Sequence, residues 1–355
     1  MFIGVIIPLV FVITEVLGFS DSVYDQLVDT AYYCKASYCS VESTFQPGPL
    51  EDACPGLTFC RNQTTTTIEA IFNPDETQNE ISGYSYLTVD HEKKKIYSIF
   101  RGTMTDGDKL TDVLAFQCPY VPVLQNNLKF EDFENIKDHD ELSRKILRKS
   151  GGQKVCKDCF VHCGLYVAFM KFINRVFDTA KPFLDQGYEL TITGHSLGGG
   201  YALLTGAEFR AQGYGSFLIT YGSLRVGNPN FNKWVDDIFE TGKAASIVEK
   251  GGDLPIPSYS RVFQTVDFVP HLPPNIPIIL EYGHSGLQFE ITKIELPQPK
   301  NVVKFKGPPK KYRSDVDETD EINSINRNSR GALWDAIWYP HQRMFINFSL
   351  PCEDY

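Results

Sequence analysis

The chain has 355 residues, 42% of them hydrophobic, and a formal net charge of -10 at pH 7. Its size and composition are ordinary for a globular protein and allow a substantial core. The acidic balance excludes nucleic acid as a partner, because that affinity rests on neutralising phosphates with Lys and Arg.

At the N-terminus, "MFIGVIIPLVFVITEVLGFSDS" carries an apolar run from about Phe2 to Ile13 and small residues near Gly18 and Ser20. This predicts a signal peptide over 1–20 and a secreted mature chain. A membrane anchor needs roughly 18 or more clean apolar residues. Neither this run nor any later segment reaches that length, so no transmembrane segment is expected in the mature chain.

Nine cysteines (Cys34, Cys39, Cys54, Cys60, Cys118, Cys156, Cys159, Cys163, Cys352) fit an oxidising compartment. The odd count predicts one unpaired thiol, and the first four read as a stapled N-terminal segment of unspecified connectivity. "CKDCFVHC" has zinc-like spacing, but it lacks a second Cys pair, and disulfides are the default in a secreted chain. No metal is expected. Sequons at Asn62 and Asn347 are compatible with glycosylation.

Downstream, "ISGYSYLTVDHEKKKIYSIFRGT" predicts strands over 81–89 and 96–100 joined by a charged turn from Asp90 to Lys95. Residues 125–158 are charged and read as an exposed helical excursion or loop. From Val161 to Phe183, apolar residues at three- and four-residue intervals predict one amphipathic helix ended by Pro182. Next come a strand "YELTIT", a helix from Ser196 to about Gln212, a strand "SFLITYGS", a helix "NFNKWVDDIFET" and a strand "YSRVFQTVD". This alternation predicts an α/β fold with a mostly parallel sheet covered by helices on both faces. The polar tract 306–330 reads as a long surface loop. The organisation expected is a single domain over 21–355 with surface insertions near 125–158 and 306–330.

In "TGHSLGG", Gly194, Ser196 and Gly198 form a Gly-x-Ser-x-Gly pattern directly after a strand and at the opening of a helix. That is the context of a nucleophile elbow. The glycines keep Cβ atoms out of a crowded, strained turn, and the helix N-terminus offers N–H groups to an oxyanion. A serine nucleophile needs a base and an acid to orient it, which follow in the order Ser, Asp, His on such sheets. Asp267 ends an apolar strand at the sheet edge where ligands bind. Asp236 and Asp237 fall in a helix, and Asp253 lies in a loop. For the base, His271, His284 and His341 come late enough, and the residues alone leave His284 and His341 open.

Together, "TITGHSLGGGYALL", "FQTVDFVPHLPP", "YGHSGLQFEI", "SIFRGT" and "VHCGL" resemble the fungal-type triacylglycerol lipases of the class 3 family, over roughly residues 30–350. The resemblance implies Ser196 as nucleophile, Asp267 as acid and His341, in "PHQRMF", as base. It assigns His284 to a different, non-catalytic family histidine. It also implies an oxyanion hole built from Thr103 and the backbone N–H of Leu197. An N-terminal "YC" of the family matches Tyr33 and Cys34, implying a Cys34–Cys352 disulfide. The family's lid stretch falls on "TMTDGDKLTDVLAF", which departs from it in a polar start and the lack of tryptophan. His271 and His195 are expected to be structural.

The expected function is that of a secreted serine ester hydrolase, a lipase acting on acylglycerols, with no cofactor. An esterase or phospholipase for other esters is the alternative within catalysis. A non-catalytic lipid-binding protein on the same scaffold is the alternative outside it. The expected partner is a lipid or other ester, met at a lipid–water interface in the lipase case.

Overall fold

The computed structural model describes residues 18–72, 84–103, 116–152, 155–274, 276, 280–310, 312 and 338–354. The predicted signal peptide up to residue 17, most of the lid stretch (104–115) and most of the 306–330 loop lie outside the described residues. No helix among the described residues is long and apolar enough to cross a membrane.

The chain opens with α1 (Asp21–Tyr38), which Ser20 starts by accepting the Val23 N–H at 3.1 Å on its hydroxyl. Strands β1 (Gly48–Pro49), β2 (Thr66–Phe72), β3 (Ser85–Asp90) and β4 (Lys95–Phe100) follow, with short helices α2 (Leu50–Ala53) and α3 (Thr58–Arg61) between the first two. The Asp90–Lys95 turn forms as the sequence predicts, with the Asp90 carboxylate accepting the Lys93 N–H at 2.8 Å. Then come β5 (Gln117–Pro119), α4 (Val123–Asn126), α5 (His139–Lys149), β6 (Phe160–His162), α6 (Cys163–Phe169) and α7 (Ile173–Leu184). The nucleophile segment is β7 (Glu189–His195) followed by α8 (Leu197–Ala211). The chain continues through β8 (Phe217–Tyr221), α9 (Pro229–Ile238), α10 (Thr241–Val248), β9 (Ser258–Gln264), β10 (Leu287–Ile291) and β11 (Val303–Gly307), and ends in the ribbon β12 (Arg343–Met344) and β13 (Ile346–Asn347).

Nine strands make one sheet in the order β1-β2-β3-β4-β7-β8-β9-β10-β11. From β4 to β10 the neighbours are parallel, and the edges on either side are antiparallel. The α/β reading stands, as a parallel centre with antiparallel flanks. Helices α6 to α9 bury one face of the sheet, and α1 and α10 bury the other. This double covering is why the central strands read as continuous apolar runs rather than alternating ones.

Two expected elements differ. The single helix over 161–183 is interrupted: residues 160–162 pair with β5, and a turn at 170–172 separates α6 from α7. The break lets Phe169 and Phe172 both bury fully, edge to face at 5.5 Å, so packing overrides the continuous periodicity. Pro182 sits inside the last turn of α7, which ends only two residues later. The charged 125–158 region is docked rather than wholly solvated. Its helix α5 is capped by Asp138, buries Leu142 and Ile146, and is held to Asp132 through Lys149 at 2.7 Å.

Cysteine pairing also departs from expectation. The bonds are Cys39–Cys352, Cys54–Cys60 and Cys156–Cys159, and Cys34, Cys118 and Cys163 are free and buried. Three thiols therefore stand where the odd count predicted one, and the implied Cys34–Cys352 bond is replaced by Cys39–Cys352. The cause is the facing of α1: Cys34 turns into the sheet, 3.1 Å from the Thr193 hydroxyl, whereas Cys39 just past the helix end reaches the C-terminal stretch. The family's "YC" is met by Tyr38 and Cys39 instead. The zinc-like "CKDC" holds a disulfide, in line with the sequence default. At Asn347 the side chain is buried and accepts the Ser349 N–H at 3.1 Å and its hydroxyl at 2.8 Å, so this sequon serves the fold, while Asn62 is exposed.

Candidate active site

The parallel strands all point their C-terminal ends to one edge, and there the candidate residues meet. β4 runs out into Arg101, Gly102 and Thr103; β7 delivers Ser196; β9 is followed by Asp267. That edge is where open α/β sheets bind ligands, because the strands end and the helix N-termini begin.

Ser196 sits between β7 and α8 at φ 59° and ψ -127°, a conformation that non-glycine residues rarely adopt. Its N–H donates to the Tyr221 carbonyl at 2.9 Å, which pins the strained turn to β8. The two flanking glycines are demanded by contact. A Cβ on Gly194 would stand 2.2 Å from the Gly198 carbonyl oxygen, and one on Gly198 would stand 2.2 Å from that of Phe100. The tight elbow predicted from Gly-x-Ser-x-Gly is therefore present in shape.

His341 lies in a helical turn at 338–341, and its Nδ1 is 2.8 Å from Asp267 Oδ2. Both side chains are shut from solvent, at 2% and 0% exposure, which marks this as a built pair rather than a surface ion pair. The other carboxylate oxygen of Asp267 accepts the Val269 N–H at 3.0 Å and fixes its rotamer. His341 Nε2 is buried and finds no hydrogen-bond partner among the described residues. With Nδ1–H donating to Asp267, the neutral ring presents Nε2 as an acceptor. It borders the same pocket as Ser196, with Thr103, Tyr38, His195 and Trp338.

Thr103 lines that pocket too. Leu197 opens α8, and an N–H in a first helical turn has no partner within its helix. The other histidines go elsewhere. His284 donates from Nε2 to the Pro270 carbonyl at 2.7 Å, bracing the turn that carries Asp267, and burial foremost, with Arg261 and Arg225 adding to it, holds its pKa well below the usual range. The main-chain carbonyl of His271 accepts Arg225 at 2.9 Å. Tyr38 and Trp338 border the pocket without having been picked out as site residues. Tyr38 sits in the second "YC" of the chain, five residues beyond the Tyr33–Cys34 pair that the resemblance points to, and Trp338 in the aromatic-rich tail.

Residues 97–276 match the family model described as "Lipase (class 3)". A putative lipase of Saccharomyces cerevisiae is 28% identical over 308 residues, covering 80% of this chain and 83% of its own. A protein named secreted mono- and diacylglycerol lipase 1, from Fusarium solani, is 28% identical over 173 residues, and the match spans only 46% of that relative. The crystal structure of Lip2 lipase from Yarrowia lipolytica superposes with a TM-score of 0.64 at 24% identity, covering 96% of this chain and 98% of that one, which supports the shared fold. With the family model spanning more than half of the sequence, the chain belongs to the class 3 lipase family, serine carboxylic-ester hydrolases of the α/β-hydrolase type.

Proposed function

We propose that the chain is a secreted lipase that cleaves acylglycerol esters through Ser196, His341 and Asp267. The observation that carries this reading is the buried His341–Asp267 pair, whose Nε2 has no hydrogen-bond partner among the described residues, bordering the pocket that holds the strained Ser196. In this mechanism His341 Nε2 removes the Ser196 proton as its oxygen attacks the ester carbonyl, and Asp267 holds the imidazole and offsets its new charge. The N–H groups of Leu197 and Thr103 receive the oxyanion, a contribution worth about 3–4 kcal/mol per donor in comparable sites. His341 then passes the proton to the leaving alcohol, and water releases the acyl group by the same steps.

Secretion is supported by the apolar N-terminal run and by the name of the Fusarium relative. Contact with a lipid–water interface belongs to the same reading. The polar start of "TMTDGDKLTDVLAF" favours a second reading, an esterase for dissolved substrates. Tributyrin hydrolysis followed across the solubility limit separates them, with Ser196→Ala as control. A Ser196-dependent jump in rate as droplets form supports the lipase, and saturation below that limit supports the esterase. Equal rates for the two proteins would remove the catalytic assignment.

A further inference from the structure

We propose that Tyr38 and His195 are positioning residues, joining α1 and the nucleophile elbow to the base through one hydrogen-bond chain from the Tyr38 hydroxyl to the main chain of His341. The proposal rests on the triad reading above and adds what keeps His341 in place.

His341 reaches the site from the C-terminal stretch, and among the described residues its side chain is hydrogen-bonded at Nδ1 alone. A ring held at one atom pivots, and a shift of the order of 1 Å in a reacting group is enough to slow an enzyme about a hundredfold. Something must also fix the backbone from which the ring hangs. His195, the residue before Ser196, does so: its Nε2 lies 2.9 Å from the His341 carbonyl oxygen. A carbonyl only accepts, so Nε2 carries the proton and donates. The neutral ring then has one acceptor left, Nδ1, and the Tyr38 hydroxyl stands 2.5 Å from it and donates. The Tyr38 oxygen also packs against Gly102, the residue before Thr103. No side chain fits at Gly102, where a Cβ would lie 2.7 Å from the Tyr38 oxygen and 2.9 Å from Ser196 Cβ.

Three segments distant in sequence thus meet in one chain of donors, α1, the elbow and the C-terminal stretch, with the end of β4 packed beside it. Its direction is fixed by the His341 carbonyl, which can only accept. Phe348 stacks on the His195 ring at 4.2 Å with 18° between planes, which sets the plane in which the two ring nitrogens point.

The charge state fits this task. The His195 and His341 rings are 4.6 Å apart, and His341 becomes cationic during the reaction, so a second cation beside it would oppose that step. Burial, reinforced by His341, keeps the His195 pKa well below its usual range. Burial likewise pushes Tyr38 up, so it stays a donor. The titratable groups around the ring are Tyr38 from α1 and His341 from the C-terminal stretch, with Cys34 and Arg101 beside Tyr38.

The test compares kcat and KM on a soluble p-nitrophenyl ester for the wild type, His195→Phe, His195→Gln and Tyr38→Phe, with Ser196→Ala as the blank. His195→Phe keeps the stacking on Phe348 and loses both hydrogen bonds, and kcat is expected to fall about 10- to 100-fold with KM within about two-fold. His195→Gln retains an N–H for the His341 carbonyl and is expected to recover most of kcat; Tyr38→Phe falls between. Equal losses in the Phe and Gln variants, or a wild-type kcat in His195→Phe, would overturn the proposal while leaving the triad standing. An active Ser196→Ala protein would overturn both. Independently of any variant's folding, ¹⁵N NMR of the wild type is expected to show His195 neutral and protonated at Nε2 from about pH 5.5 to about pH 8. Titration in that window or protonation at Nδ1 would contradict it.

Discussion

At the residue scale, each candidate group is recognised by what its atoms touch. Asp267 spends one oxygen on the Val269 N–H and the other on His341, so its carboxylate both fixes its own rotamer and selects the His341 tautomer. Replacing it by Asn keeps the size and loses the selection, because an amide nitrogen facing Nδ1 favours the tautomer protonated at Nε2. Asp267→Asn is therefore expected to lower kcat roughly 10³- to 10⁴-fold with little change in KM, measured on a soluble ester. A loss under about tenfold would show that Asp267 does not orient the base. Ser196 and Asp267 were legible in the sequence because motif and strand-end position both pointed to them. Which histidine stands beside Asp267 was not legible from the residues alone: the bond to Asp267 is made by His341 and not by His284, and it arises from a contact across 74 residues.

At the element scale, α1 and α8 carry more than their sequence patterns suggest. α1 holds the C-terminal stretch three ways, through Lys35 donating to the Ser349 and Pro351 carbonyls, through the Tyr38 ring packed against Phe348 at 6.2 Å, and through Cys39–Cys352 just past its end. That bond closes a separation of 313 residues, so replacing Cys39 and Cys352 by Ala is expected to cost about 2–4 kcal/mol in unfolding measurements. Cys34→Ala, by contrast, leaves the bond intact in non-reducing peptide mapping. Finding Cys34 joined to Cys352 would reverse the pairing. The misplacement of "YC" is a matter of helix facing: "YYC" and "SYC" are equally good matches in sequence, and only the packed helix shows which cysteine faces the tail.

From α8, the fully buried Glu208 accepts the N–H groups of Val123 and Leu124 at 2.8 and 3.1 Å and so anchors α4 beyond the lid stretch. Burial raises its pKa from 4.5 to about 7 despite these bonds. A carboxyl group raised on folding binds more protons in the native state between those values. Stability from this group is full below about pH 4.5 and is lost as pH rises through about 7, a change on the order of 3 kcal/mol. Glu208→Gln lacks that titration. Its melting temperature relative to wild type is therefore expected to rise between pH 5 and pH 7.5, as read by calorimetry at about 0.5-unit steps. A constant difference would mean that Glu208 does not titrate there.

At the scale of the whole molecule, the alternation of strands and helices made the α/β class readable, since periodicity reports which faces are buried. What it missed were the flanks: β1, β2, β10 and β11 are short or carry charged residues, and their strand character comes from pairing with neighbours. The sheet nevertheless explains the chemistry. Parallel strands bring Thr103, Ser196 and Asp267 to one edge from segments far apart, and the C-terminal stretch folds back over that edge to supply His341. The central claim is that this edge makes Ser196 a nucleophile driven by His341. Its most direct measurement is the rate and site of labelling by a fluorophosphonate, with peptide mapping, in wild type and His341→Ala. The account predicts a single adduct on Ser196 and a loss of roughly 10³-fold or more in labelling rate for His341→Ala. Labelling at another residue, or a rate unchanged by His341→Ala, would contradict it.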